Sequence, residues 1–299
     1  MGETRRIAAR SCRTVEACEM MELGYLHLPR IHVHVAKTAE EALKLLEQDR
    51  ELGIIAGGTY TISALTEEKT KLRGFVDISR ISELAQLREE NGKVIAGALV
   101  THAELSKRLG DKIPALKMFW KNYSAPTVAN LATLGGSIML REPPEDLIPI
   151  LLTLDAELSF LTFGGERRIK LSDFLHEKPT SKMLLTSVIF EESCTCYFDK
   201  LWLGVSRIPI ISVALNIKMG EKVEMARIAV SHVDRDLPNR VYSVERFLKG
   251  RVLDDSTIAN ASQQLSQSIN PSSDLIAPAW YRREMAAVLF GRLLKQAVA

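Results

Sequence analysis

The stretch Ser124-Ala125-Pro126-Thr127-Val128-Ala129-Asn130-Leu131-Ala132-Thr133-Leu134-Gly135-Gly136-Ser137-Ile138 decides how the rest of the chain is read. A turn-prone Ser-Ala-Pro opens it, apolar residues carry it inward, and two adjacent glycines stop it before further apolar residues. Adjacent glycines at the end of an apolar run predict positive φ or a backbone that something approaches closely. A second pair stands upstream in Ile54-Ile55-Ala56-Gly57-Gly58-Thr59-Tyr60, directly after a short strand-like run. Two such loops can present rows of bare N–H groups, a concave donor surface suited to a phosphate or pyrophosphate. Neither reads GxGxxG, nor GxxxxGK followed by Ser or Thr, so the usual dinucleotide and P-loop readings do not apply.

A chain of 299 residues is long enough for two or three subdomains around a sizeable core. Its 46% hydrophobic and 25% charged residues are ordinary for a soluble globular protein, and a net charge of +2 gives nucleic acid no footprint. No apolar run approaches the roughly 20 residues of a membrane span. The start at Met1 has no apolar signal core, so a cytoplasmic location is expected. Gly2 is not followed by Ser or Thr at position 6, which argues against myristoylation. Cys12, Cys18, Cys194 and Cys196 form no C-x-x-C pair and read as reduced, incidental thiols, with no metal site expected. His32 and His34 share a strand face without a third ligand and read as surface or edge residues.

Outward from the two glycine pairs, the chain organises into β and α segments. Residues 1–20 show no clear period and read as an extension. Ile31–Val35 alternates as a strand, and Thr38-Ala39-Glu40-Glu41 is a capping box that opens an amphipathic helix. Ile54–Ala56 returns as a buried strand into the first glycine pair, Leu65 is expected to pack the start of a turn, and Phe75–Ile78 is another strand. This β-α-β unit carries its glycine loop at a strand's C-terminal end, where ligands of α/β sheets bind. Asn91-Gly92 signals a hairpin into Val94–Ala98, and Thr101-His102-Ala103-Glu104 repeats the capping box. Leu116–Trp120 reads as helical and Ala156–Leu161 as a strand. Gly164-Gly165 closes a hairpin, a plain structural use for a third glycine pair. From Thr186 a meander of long strands is expected, Val188–Glu192, Cys196–Trp202, Ile208–Met219 and Met225–His232. Helices follow: Val244–Leu248 ending at Gly250, a polar stretch Ser256–Asn270, and Trp280–Gln296 with Tyr281, Met285, Val288, Leu289 and Leu293 as its apolar stripe.

No conventional catalytic set emerges. Asp146 is either a general base or, as lone carboxylates near a helix start usually are, a cap. Lys200, in a strand between Phe198 and Trp202, is either a solvated-face lysine or a partner for a ligand phosphate. Tyr123 and Trp120 either flank a planar ring or belong to the core. Composition and spacing alone thus support a nucleotide- or cofactor-binding α+β protein.

The order of motifs is more specific. Ala56-Gly57-Gly58-Thr59 after a strand, then Asn130 through Thr133-Leu134-Gly135-Gly136-Ser137-Ile138, resembles the paired flavin loops of the FAD-binding medium subunit of molybdenum hydroxylases. These are the enzymes of the xanthine dehydrogenase and aerobic carbon monoxide dehydrogenase type. The family's second loop is followed by an Asp, here Asp146, and Leu147–Glu157 continues the likeness. Leu184-Leu185 is similar to the leucine pair near the flavin ring, and Lys200 to the lysine of a Y-x-K strand. Val244–Gly250 resembles E-x-x-L-x-G, and Tyr281-Arg282-Arg283 resembles the family's last helix. The likeness spans about residues 30–295.

The resemblance implies an α+β fold of the PCMH or vanillyl-alcohol-oxidase type. Its expected parts are FAD-binding subdomains at 21–83 and 84–186 and a C-terminal α+β domain, an antiparallel sheet with helices, at 187–299. FAD would contact Ala56, Gly57, Gly58, Thr59, Tyr60, Tyr123, Thr133, Leu134, Gly135, Gly136, Ser137, Asp146, Leu184, Leu185 and Lys200. The implied partners are a two-cluster iron–sulfur (2Fe-2S) small subunit and a molybdenum cofactor large subunit, with NAD⁺ or another acceptor taking the electrons. An oxidoreductase subunit of this kind needs no acid–base triad, because the flavin carries the chemistry. Departures from the family pattern are Ala129 for an arginine, Ser137 for an asparagine, Leu140–Glu145 for a small polar segment, and Leu203-Gly204 for an arginine pair. They support one alternative, a flavin-free or weakly binding structural subunit; a second alternative, a stand-alone flavin reductase of the same fold, would need its own acid near the flavin.

Overall fold

The structure, a computed structural model, describes residues 31–49, 51–67, 69–70, 72, 74–123, 125–140, 146–177, 182–204, 208–231 and 238–298. The extension at 1–20, Cys12, Cys18, Ser124, the Arg141–Glu145 departures and His232 lie outside these residues. Among the described residues no helix is long and apolar enough to cross a membrane.

The first unit holds β1 (His32–Val35), α1 (Ala39–Gln48), β2 (Leu52–Ile55), α2 (Thr59–Thr66) and β3 (Gly74–Asp77). Its three strands pair in parallel in the order β1-β3-β2, so each connection is a crossover, supplied by α1 and α2. Thr38 caps α1 by accepting from the Glu41 amide at 3.2 Å, and the Glu41 carboxylate accepts from the Lys37 amide at 2.7 Å. The predicted capping box therefore forms with its return bond one residue outward. α2 replaces the turn expected near Leu65, and Ala64 and Leu65 are its buried residues. Exposed β1 places His32 and His34 on the sheet's edge.

The second unit is a five-stranded antiparallel sheet in the order β4-β5-β8-β6-β7, from β4 (Leu87–Glu90), β5 (Lys93–Gly97), β6 (Glu157–Thr162), β7 (Gly165–Lys170) and β8 (Leu184–Glu191). Asn91 at φ 53° and Gly92 at φ 73° make the β4–β5 turn that their dipeptide predicts. Between β5 and β6 run α3 (His102–Leu109), α4 (Pro114–Lys121), α5 (Pro126–Ala129), α6 (Leu134–Leu140) and α7 (Leu147–Thr153), and α8 (Leu171–His176) precedes β8. Fully buried Phe160, Phe174, Phe190 and Phe198 anchor the core these elements enclose. Each such side chain contributes about 2 kcal/mol by burial.

The third unit is a sheet ordered β12-β11-β10-β9, from β9 (Cys196–Leu203), β10 (Ile208–Met219), β11 (Val223–Ser231) and β12 (Asn239–Arg240). It is covered by α9 (Tyr242–Leu248), α10 (Asp255–Ser268) and α11 (Ala279–Val298). The expected meander is corrected here: its first strand, β8, pairs with β5 and β6 instead of β9. The polar stretch after Ser256 is α10, capped by Asp254, which accepts from the Thr257 amide at 2.7 Å. The apolar stripe of the last helix is also corrected. Arg282, Ala286, Leu289, Phe290, Leu293 and Leu294 are buried, while Val288 is exposed. The buried Arg282 guanidinium sets that rotation by donating to the Ile210 carbonyl at 2.8 Å and to Asp274 at 2.6 Å. Glu245 is likewise structural: its carboxylate accepts from the Ile228 amide and from Arg240.

Candidate functional site

A cavity of about 790 Å³ lies where the first unit faces α3, α6 and the start of β8. It falls within the size range of small-molecule and cofactor pockets. Ala56, Gly57, Gly58, Thr59 and Tyr60 line one wall, and Thr133, Gly135, Gly136 and Ser137 line another, with Tyr123, Leu184 and Leu185 between them.

The first wall follows from local backbone chemistry. β2 ends at Ile55, and Gly58 at φ 69°, a left-handed conformation suited to glycine, turns the chain into α2. The amides of Gly57, Gly58 and Thr59 have no hydrogen-bond acceptor among the described residues. They sit at the positive end of α2, where the leading N–H groups of a helix go unpaired. Gly57 is fixed by a different constraint. A Cβ there would lie 1.7 Å from the Leu131 carbonyl oxygen, so the two glycine-bearing segments touch backbone to backbone.

The second wall has the same dipeptide and a different construction. Residues 132–135 run beside 98–102: His102 donates to the Ala132 carbonyl at 3.0 Å, Leu134 to Val100 at 2.9 Å, and Gly135 to Ala98 at 2.8 Å. The Gly136 amide donates to Thr133 Oγ1 at 3.1 Å and the Ser137 amide to the Thr133 carbonyl at 3.1 Å. Gly135 and Gly136 begin α6 and have no positive φ. The expectation of bare N–H rows on both loops is therefore corrected: it holds for the first loop only. Gly135 is needed for packing, since a Cβ would stand 2.9 Å from both the Cβ and the carbonyl oxygen of Ala98.

Leu134, Asp146 and Lys200 are not among the residues lining the cavity. Leu134 is fully buried in the second core. Asp146 and Lys200, read separately in the sequence, form a pair with Lys200 Nζ donating to Asp146 Oδ2 at 2.7 Å. Their side chains are only 8% and 7% exposed, so Lys200 is not on a solvated strand face, and the Asp146 side chain makes no cap bond to α7. The pair ties the start of α7 to β9. Trp120 is 36% exposed and off the cavity lining, which leaves Tyr123 as the aromatic of that pair at the site.

His102 is the site residue that sequence reasoning missed. It is 2% exposed, lines the cavity, and packs edge-on against Phe119 and Tyr123. Its Nδ1 lies 3.1 Å from the Tyr123 hydroxyl and its Nε2 lies 2.9 Å from Ser137 Oγ. Burial pulls its pKa down to about 4, against a smaller opposing effect of a hydrogen bond with the Thr133 backbone, so the ring is neutral at pH 7. The available signal was its position in α3: His102 shares the buried stripe of Leu105, Ser106 and Leu109. A titratable side chain on an apolar stripe stands out against the usual burial pattern. Cys196 offers no competing chemistry, because complete burial pushes its thiol up to about 12.

Residues 29–190 match the family described as FAD binding domain in molybdopterin dehydrogenase, and residues 204–297 match the CO dehydrogenase flavoprotein C-terminal domain. The chain is 28% identical to the glyceraldehyde dehydrogenase medium chain of Sulfolobus acidocaldarius, over 87% of this chain and 96% of that one. It is 25% identical to the carbon monoxide dehydrogenase medium chain of Hydrogenophaga pseudoflava, over 91% and 98% of the two chains. Among solved structures, carbon monoxide dehydrogenase from Hydrogenophaga pseudoflava lacking the Mo-pyranopterin moiety aligns with a TM-score of 0.85 at 23% identity, covering 91% of this chain and 98% of that chain. This last likeness is one of fold.

Proposed function

Because the chain belongs to the family of FAD-binding domains of molybdopterin dehydrogenases, we propose that it is the flavin subunit of a cytoplasmic molybdenum hydroxylase. In this reading it receives electrons from an iron–sulfur (2Fe-2S) subunit fed by a molybdenum cofactor subunit, and passes them to NAD⁺ or another acceptor. The observation that carries the reading is the cradle between the two glycine-bearing segments. Amides without acceptors among the described residues, at the positive end of α2, border a cavity of cofactor size.

The residues present fit FAD. The Gly57, Gly58 and Thr59 amides suit a pyrophosphate, since they pair naked donors with a favourable helix dipole and lack Cβ atoms at the two glycines. Thr133 and Ser137 offer hydroxyls on the facing wall, Leu184 and Leu185 an apolar surface for a flat ring, and Tyr123 an aromatic edge. The bound flavin supplies reversible acceptance of electrons. The chain's own part is to hold it, orient it and shield it from water. Asp146 and Lys200 enter this reading as a buried support joining α7 to β9.

The visible spectrum of the purified chain, alone, with FAD, and then with NADH under anaerobic conditions, tests the reading. A bound flavin spectrum bleached by NADH is the expected result. Bound flavin indifferent to NADH keeps the cofactor and moves the acceptor elsewhere. A folded, colourless protein that ignores added FAD refutes the reading and leaves a structural subunit.

A further inference from the structure

We infer that His102 is a positioning residue that aims the Ser137 hydroxyl proton into the cavity, making this hydroxyl a hydrogen-bond donor to the bound dinucleotide. The inference rests on the flavin reading above and concerns a polarity that heavy-atom positions alone do not display.

A neutral imidazole has one N–H and one lone pair, and both nitrogens of His102 are engaged, Nδ1 with Tyr123 and Nε2 with Ser137. Two arrangements are therefore available. In one, Nδ1–H donates to Tyr123 and Nε2 accepts from Ser137. In the other, the Tyr123 hydroxyl donates to Nδ1 and Nε2–H donates to Ser137 Oγ.

Acidity favours the second. A phenol, with a pKa near 10, is a stronger donor than an alkyl hydroxyl, and the alkyl oxygen is the better acceptor. The chain then runs from Tyr123 through the ring to Ser137 in one direction. With Oγ already accepting from the ring, its own proton is left for an acceptor in the cavity that Ser137 lines.

This orientation matters because the second wall has few other donors. Its Leu134, Gly135, Gly136 and Ser137 amides are engaged inside the protein, so its hydroxyls supply what the backbone does not. At the position where the family resemblance expects an asparagine amide, the serine would be an ambivalent group. His102 resolves it into a donor.

The test combines imidazole NMR with FAD titration on the full chain. Protein labelled with 15N-histidine should show His102 as the Nε2–H tautomer, with Nδ1 unprotonated, with and without FAD. An Nδ1–H tautomer overturns the inference. Ser137→Ala should weaken FAD about tenfold, the loss of one hydrogen bond. His102→Gln should weaken it in the parent and add little in the Ser137→Ala background, because it acts through Ser137. Additive effects of the two substitutions overturn it. Should His102→Gln fail to fold, the tautomer measurement still decides, with the signal assigned by its shift in Ser137→Ala. A wild-type chain that does not bind FAD defeats the flavin reading together with this one. FAD binding with the wrong tautomer, or with additive substitutions, defeats this one alone.

Discussion

Gly57→Ala is the most direct perturbation of the cleft. The new methyl would stand 1.7 Å from the Leu131 carbonyl oxygen and 2.6 Å from the Leu131 carbonyl carbon. Both atoms are backbone, so no rotamer relieves the contact, and the two segments must separate by more than about 1 Å to reach ordinary distances. Leu131 is not free to recede. Its amide bonds to the Val128 carbonyl at 3.0 Å, and the next residue is held by Ala132 N to Val128 at 2.7 Å and by His102 N to the Ala132 carbonyl at 3.0 Å. Overpacking of this kind costs about 3 kcal/mol, the upper part of the usual range, because the neighbour is main chain. Gly58→Ala is the matched control. Its Cβ meets nothing closer than 3.6 Å, so its penalty comes from φ 69° alone and is about 1 kcal/mol. Urea denaturation should separate the two variants by about 2 kcal/mol, and FAD titration should show Gly57→Ala with its affinity lowered on the order of a hundredfold. Equal stabilities, with flavin retained in Gly57→Ala, would refute the contact between the glycine segments and the site built on it.

Two further perturbations probe buried charge. His102 is protonated near pH 6.5 in the unfolded chain and only at about 4 when folded, so the unfolded state binds more protons between these values. The stability that neutral His102 contributes is present above pH 6.5 and is lost as pH falls towards 4, about 3 kcal/mol in all. Denaturation of wild type and His102→Gln at pH 7 and pH 4.5 should therefore differ in that direction, and a pH-independent difference would contradict the burial. Lys200→Met takes the Lys200 cation away from the buried Asp146 carboxylate and should cost about 3 kcal/mol, partly recovered by adding Asp146→Asn. Thermal unfolding measures both, and a loss below about 1 kcal/mol for the single variant would put Lys200 back on a solvated face.

What the sequence made legible was what local chemistry decides. Asn91-Gly92, Gly164-Gly165 and the Thr38 and Thr101 caps each need only neighbouring residues, and each forms as expected, with Gly165 at φ 105° closing its hairpin. The first glycine pair was legible for the same reason, because a strand, a left-handed glycine and a helix start are contiguous. The misses depend on partners far away in the chain. α2 is poorly marked in Thr59–Thr66, with three threonines and an isoleucine among its eight residues, and is held by the crossover geometry between parallel strands. β8 has the same character as the strands after it, and only its partners β5 and β6 assign it to the second sheet. His102 could be seen as part of a cap but not as a link between Tyr123 and Ser137, since neither contact is local.

The two glycine pairs look alike in sequence and differ in physical role, and that difference accounts for which residues can vary. In the first loop glycine serves both as a left-handed turn and as a point of backbone contact, while the amides remain available. In the second, glycine serves packing against Ala98, and the amides are engaged in joining α6 to the β5–α3 connection. Cleft width is thereby set by main-chain contacts within the protein itself, a fixed geometry that favours affinity through preorganisation. Donor chemistry on the second wall falls instead to Thr133 and Ser137, side chains that can change without moving the backbone. A serine at position 137, where the family resemblance expects an asparagine, is thus a change in hydrogen bonding, not in fold, and on the inference above the neutral, buried His102 beside it determines which way that hydrogen bond points.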